Sequence, residues 1–90
     1  GQGAAWREAG KARLHLGRVD GAIECLEARL LGSNDDLEAH YWLARAAREA
    51  GDAGRMTFHL DFIADQACSG PRGVRKRNRE WIRRARDLRG

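Results

Sequence analysis

Ninety residues, 42% of them apolar, amount to one small domain with enough apolar side chains for a core, and no apolar run approaches the roughly 20 residues that span a bilayer. A single proline among abundant Ala, Leu, Arg and Glu favours helix over strand. The formal charge of +4 is laid unevenly: residues 1–70 carry 8 Lys/Arg against 11 Asp/Glu, whereas residues 71–90 carry 9 against 2, so a polyanionic partner can be argued only from the tail.

The chain opens Gly1-Gln2-Gly3 without methionine, which reads as a fragment, a processed product or a tagged chain. A first helix is expected from Ala4 to Leu16, with Ala5, Trp6, Ala9, Ala12 and Leu16 as its apolar stripe. Gly10 in its middle costs up to about 1 kcal/mol relative to Ala, so its presence predicts a neighbouring helix that leaves no room for a side chain. Gly17 ends this helix, since glycine takes the left-handed C-terminal conformation cheaply. A second helix is expected from about Asp20 to Leu31 with Val19, Ala22, Ile23, Leu26 and Leu30 inward, and Gly32 ends it. Ser33-Asn34-Asp35-Asp36 is dense in N-cap residues, and Asp35 followed by Glu38 predicts a capping box.

The third helix should run from about Asp36 to Ala50 with Leu43, Ala44 and Ala47 inward. After Gly51-Asp52 a fourth reaches about Ala67, with one stripe of Met56, Leu60, Ile63 and Ala67 and another of Phe58 and Phe62. A helix apolar on two sides needs two neighbours. The tail is the expected cover: Ser69-Gly70-Pro71 breaks the chain, and residues 72–89 read as one arginine-rich helix whose stripe Val74, Trp81, Ile82, Ala85 and Leu88 is interrupted at Asn78.

Few residues point to chemistry of reaction. Cys25 and Cys68 lack metal spacing and are expected to be small buried thiols. His15, His40 and His59 lie on three helices without the i, i+4 spacing of a zinc pair, and are expected at or near the surface. Asp61 and Asp65 read as a solvated pair. No nucleophile, phosphate loop or triad pattern is found, so no enzyme, metal or cofactor is expected.

The first two helices return after a fixed 34 residues: Ala9 falls on Leu43, Gly10 on Ala44, Gly17 on Gly51, Ala22 on Met56, Leu26 on Leu60 and Leu30 on Ala64. The pattern W-x2-A-G-x6-G-x4-A-I-x2-L-x3-L from Trp6 to Leu30 resembles the tetratricopeptide repeat (TPR), a helix–turn–helix unit, and His40 stands where that family usually has Trp. The resemblance implies an all-α fold: two TPR-like repeats, residues 4–33 and 36–69, stacked as a short right-handed solenoid, with residues 71–89 as a basic capping helix.

In that family the first helices line a concave groove that binds peptides. On this chain the groove face would carry Arg7, Lys11 and His15, then Glu38, Tyr41, Trp42, Arg45 and Arg48, then Arg72, Arg75, Lys76, Arg79 and Arg83. Members that clamp a chaperone's C-terminal carboxylate use Lys and Asn pairs; Arg7, Lys11, Arg72 and Lys76 fall at such sites here, but Trp42 replaces an asparagine. The expected partner is an acidic or carboxylate-ended peptide, with Arg45 and Arg79 central because a guanidinium holds a carboxylate through two parallel hydrogen bonds. Tyr41 and Trp42 would supply apolar area. Two alternatives stay open. The basic tail could bind nucleic acid or an anionic membrane surface. The domain could instead self-associate or form one segment of a longer array.

Overall fold

A computed structural model describes residues 2–90, with side chains from residue 4 onward. The described residues form six helices and no strand: α1 (Gln2–His15), α2 (Val19–Gly32), α3 (Leu37–Ala50), α4 (Ala53–Ser69), α5 (Arg72–Arg77) and α6 (Arg79–Arg89). α1 packs on α2, α2 on α3, α3 on α4 and α5 on α6; in addition α1 reaches α3, and α6 lies on both α3 and α4. The Cα extents of 34 × 32 × 18 Å describe a slab whose short dimension fits two helix layers at about 10 Å per helix.

The period of 34 reappears as geometry. At the end of α1 the Arg18 N–H donates to the Arg13 carbonyl at 2.8 Å and that of Gly17 to Leu14 at 3.0 Å. At the end of α3 the Asp52 N–H donates to Ala47 at 2.9 Å and that of Gly51 to Arg48 at 3.1 Å. Gly17 and Gly51 have φ of 80° and 74°. Both ends are therefore the same left-handed glycine stop, which satisfies two orphan carbonyls each time. Asp52 goes on to cap α4, its Oδ1 accepting from the Arg55 N–H, whereas Arg18 offers α2 no such cap.

Two apolar clusters fill the slab. One joins α2 and α3 through Ile23, Leu26, Ala39, Leu43 and Ala46, with Leu14 and Val19 packed against it. The other joins α3, α4 and α6 through Leu37, Tyr41, Ala44, Leu60, Ile63 and Ala85, with Trp81, Ile82 and Leu88 on its edge. The tail is thus part of the fold. Gly10 is buried at the crossing of α1 over α2, where an added Cβ would stand 2.6 Å from Leu26 Cγ and 3.2 Å from the Ala22 carbonyl oxygen.

Several expectations need correcting. The stripe of α1 is rotated: Trp6 and Leu16 are 47% and 69% exposed, while Arg7, Gly10, Lys11 and Leu14 turn inward. The cause lies outside the helix, in carboxylates that α3 brings to Arg7 and Lys11. The N-cap of α3 is Asp36, not Asp35; its Oδ1 accepts from the Ala39 N–H at 3.1 Å, and Glu38 pairs elsewhere. Of the thiols, Cys25 is buried beside the Arg13 guanidinium but Cys68 is exposed. Asp61 and Asp65 are both exposed as expected, although Asp61 also accepts from Arg89 of the tail at 2.7 Å.

The tail is not one helix. At Asn78 φ is −107° and ψ 19°, where a helix needs ψ near −42°. The Asn78 side-chain amide donates to the Val74 carbonyl at 2.9 Å, the same oxygen that accepts its backbone N–H at 3.1 Å. This local competition breaks the rod and turns α6 relative to α5. The tail also covers less than expected: Phe62 stacks on His40 at 4.0 Å, while Phe58 stays 64% exposed.

His40 and His59, expected near the surface, are buried against each other. Their Nδ1 atoms lie 2.9 Å apart, and His40 Nε2 is 2.7 Å from the Asn34 carbonyl oxygen. A carbonyl only accepts, so His40 carries its proton on Nε2 and its bare Nδ1 accepts from the Nδ1–H of His59. Both rings titrate below their ordinary range. For His40 burial outweighs the pull of the Asn34 carbonyl, Asp36 and Asp35. For His59 burial is again the main cause, and repulsion from His40 and Arg55 brings it to about 4.

The unfolded chain accepts protons from about pH 6.5 downward that the folded chain refuses, so stability is complete above that pH and falls as pH drops toward 4. For His59 the loss is on the order of 3 kcal/mol. Urea midpoints at pH 7.5 and 4.5 check this prediction, and equal midpoints would remove the histidines from the balance.

Candidate functional site

The face shared by α1, α3 and α6 is floored by three aromatic rings. Tyr41 is buried, and Trp42 and Trp81 are half-buried beside it. The Tyr41 ring meets Trp42 edge-on at 5.1 Å and Trp81 at 5.6 Å, and the two indoles are 6.1 Å apart. Sequence places Tyr41 and Trp42 side by side on α3, and the docking of α6 brings Trp81 across to them.

Cations stand over these rings. Lys11 Nζ is 5.6 Å and the Arg45 guanidinium 5.5 Å from the centre of the Trp42 ring, and Arg84 is 5.0 Å from Trp81. At this range the ring quadrupole attracts a cation by about 0.5–1 kcal/mol at an exposed site. The three cations differ in what else they touch. Lys11 is bound to Glu38 at 2.9 Å and Glu8 at 3.3 Å, and the Glu38 hydrogen bond is the first cause of its raised pKa. Arg84 pairs with Glu80, one turn back on α6, at 2.8 Å. Arg45 meets no carboxylate within ion-pair distance among the described residues.

Two carboxylates organise the α1 side. Asp36 accepts from Arg7 and Arg29, each at 2.7 Å, besides capping α3. Burial would raise its pKa, but hydrogen bonds from Arg29, Arg7 and the Ala39 amide outweigh that and hold it below the usual range. Glu38 accepts from the Trp42 indole N–H at 3.0 Å and pairs with Arg7 at 3.3 Å as well as with Lys11. Arg7 and Lys11 are therefore largely neutralised within the fold, and a ligand would have to displace their partners.

Around Arg45 the surface falls away on two sides. A cleft of about 800 Å³ between α1 and α3 is lined by Lys11, Leu14, His15, Val19, Trp42 and Arg45, with the carboxylates of Glu8 and Glu49 also on its walls. A smaller depression of about 350 Å³ between α3 and α6 is lined by Tyr41, Arg45, Arg48, Arg84, Asp87 and Leu88. Arg45 is the ridge between them.

The residues expected in one groove thus fall into two groups. Lys11, Tyr41, Trp42, Arg45 and Arg48 gather about the aromatic floor, and Arg7 is joined to it only through Glu38. Arg72, Arg75, Lys76 and Arg79 instead line a separate depression of about 640 Å³ on α5 and the start of α6. Arg83 is exposed and lines none of the three. Arg45 and Arg79 accordingly do not share a cleft.

Arg84, absent from the expected groove residues, stands where Arg79 and Arg83 were expected. Its signal was present, three residues after Trp81 and four before Leu88 on the docked stripe. Projecting one unbroken helix from residue 72 hid it. Among the described residues no group of three or more His, Cys, Asp or Glu is placed to hold a metal ion, and no helix is long and apolar enough to cross a membrane. No family model, curated protein or solved structure matches the chain.

Proposed function

We propose that the chain is a non-enzymatic binding module built from two TPR-like repeats, residues 4–33 and 36–69, stacked as a short right-handed solenoid and capped by the tail. The identical glycine stops 34 residues apart, and Gly10 at a helix crossing, support the repeat reading. The module would take a segment of a protein partner along the α1–α3–α6 face, an acidic or carboxylate-ended peptide being the best fit. The observation that carries this is Arg45, an exposed guanidinium with no carboxylate within ion-pair distance among the described residues, set beside Trp42 between two clefts. A ligand carboxylate would complete it bidentately, and Trp42, Tyr41 and Trp81 would contribute the apolar contact. Arg84, beside Trp81, takes the central place beside Arg45 that was expected of Arg79.

The test is a double charge reversal, Arg45→Glu with Arg84→Glu, against a library of acidic and carboxylate-ended peptides. Binding should fall at least tenfold, the effect of losing about 1.4 kcal/mol, while the helical circular dichroism stays unchanged. A parent that selects no acidic peptide, or a double variant that selects the same peptides equally well, would sink the reading.

A further inference from the structure

The second group of cations has no part in that groove. Arg72, Arg75, Lys76 and Arg79 line one depression, and Arg83 continues the row one turn on. All five are exposed, and among the described residues none lies within ion-pair distance of a carboxylate, whereas Arg84 and Arg89 on the same segment have Glu80 and Asp61. Like charges one helical turn apart repel, so a row of five raises the local potential and attracts an extended anion. The exposed acids of α2 and α4, Asp20, Glu24, Glu27 and Asp65, keep such an anion confined to the tail.

Three anionic partners can be told apart by what else this segment offers. An anionic bilayer is held by a helix that inserts apolar side chains beneath its cations. Here Trp81, Ile82 and Leu88 are spent on the α3–α4 core, so that face is occupied. A single-stranded nucleic acid is held by stacking its bases on exposed aromatic rings. The one aromatic of α5 and α6 is Trp81, and it is turned toward Tyr41 and Trp42. What remains is guanidinium and ammonium donors on exposed helix faces, whose commonest partners in a duplex are phosphate oxygens.

We propose that the exposed face of α5 and α6 binds the phosphodiester backbone of double-stranded nucleic acid without regard to sequence. The row from Arg72 to Arg83 runs along two short helices broken at Asn78 and spans at most about 18 Å at 1.5 Å per residue, about five base pairs of duplex. With four to five phosphates neutralised, log K should fall with log salt at a slope of about −4. Because only phosphates are contacted, DNA and RNA duplexes of one length should bind within a few-fold of each other.

The test titrates the full chain with a 16-base-pair DNA duplex, the matching RNA duplex and a single-stranded oligonucleotide of equal length across 50–200 mM salt. Vesicles of phosphatidylcholine containing phosphatidylserine form the fourth arm. Both duplexes should bind, ahead of single strand and vesicles. The exposed pair Arg75→Gln and Arg79→Gln should weaken duplex binding and flatten the slope by about 2, and Arg72→Gln with Lys76→Gln should do the same. The Arg45→Glu/Arg84→Glu variant should keep at least the slope of the parent, since its charges lie in the other group. No duplex binding at 50 mM salt, a slope unmoved by both Gln pairs, or tighter binding of single strand or vesicles would each overturn the proposal.

Discussion

Replacing Gly10 by leucine should lower the melting temperature by roughly 10 °C or more. The site already has Leu26 Cγ and the Ala22 carbonyl oxygen within 2.6 and 3.2 Å of where a Cβ would stand. Leu26 is fully buried and cannot swing aside, and a backbone oxygen moves only with its helix. Overpacking costs about 1–3 kcal/mol where side chains can adjust, and here α1 would have to lift off α2. For a domain of this length each kcal/mol is worth roughly 4–8 °C. Gly73→Ala is the control: its Cβ would meet nothing within 4 Å, so helix propensity alone should leave stability equal or slightly raised. Equal melting temperatures for Gly10→Leu and the parent would show that α1 does not pack as described.

Asp36→Ala should cost about 3 kcal/mol or more. The side chain of Asp36 is only 7% exposed and serves Arg7 on α1, Arg29 on α2 and the first turn of α3 at once. Losing an N-cap costs about 1 kcal/mol, and leaving guanidiniums without a partner in a half-buried setting adds a large part of the 3–5 kcal/mol seen when buried pairs are broken. Asp36→Asn separates the two, because Asn caps as well as Asp but cannot neutralise two arginines. Urea unfolding at pH 7 should place Asn between the parent and Ala. An Asn variant as stable as the parent would mean that the cap alone matters.

These two sites mark what the sequence could and could not say. Gly10 and the paired glycines Gly17 and Gly51 announced themselves, because a glycine in a helical pattern has few reasons to be there and the reasons are local. The inward face of α3 was legible for the same cause: Leu43, Ala44 and Ala47 follow the helical period and are buried. The face of α1 was not. Its orientation is decided by Asp36 and Glu38, 29 and 27 residues from the cations they hold, and no periodicity encodes a pairing across that distance. His40 and His59 escaped similarly, since each looks unremarkable on its own helix and only the docking of α4 on α3 creates the couple. In the tail, Asn78 was noticed as an interruption of the stripe, but its competition for the Val74 carbonyl was not, and with it went the register of every arginine beyond.

Trp42 packs against both apolar clusters, the one shared by α2 and α3 and the one shared by α3, α4 and α6. The cooperativity of unfolding is set by how strongly neighbouring packed units are coupled through their interface. Here one indole touches both units, so neither hairpin can melt without removing half of that ring's surroundings. The two halves should open as one unit, so that anything fixing the surroundings of Trp42, the peptide proposed above included, should slow hydrogen exchange in α2 and α4 alike.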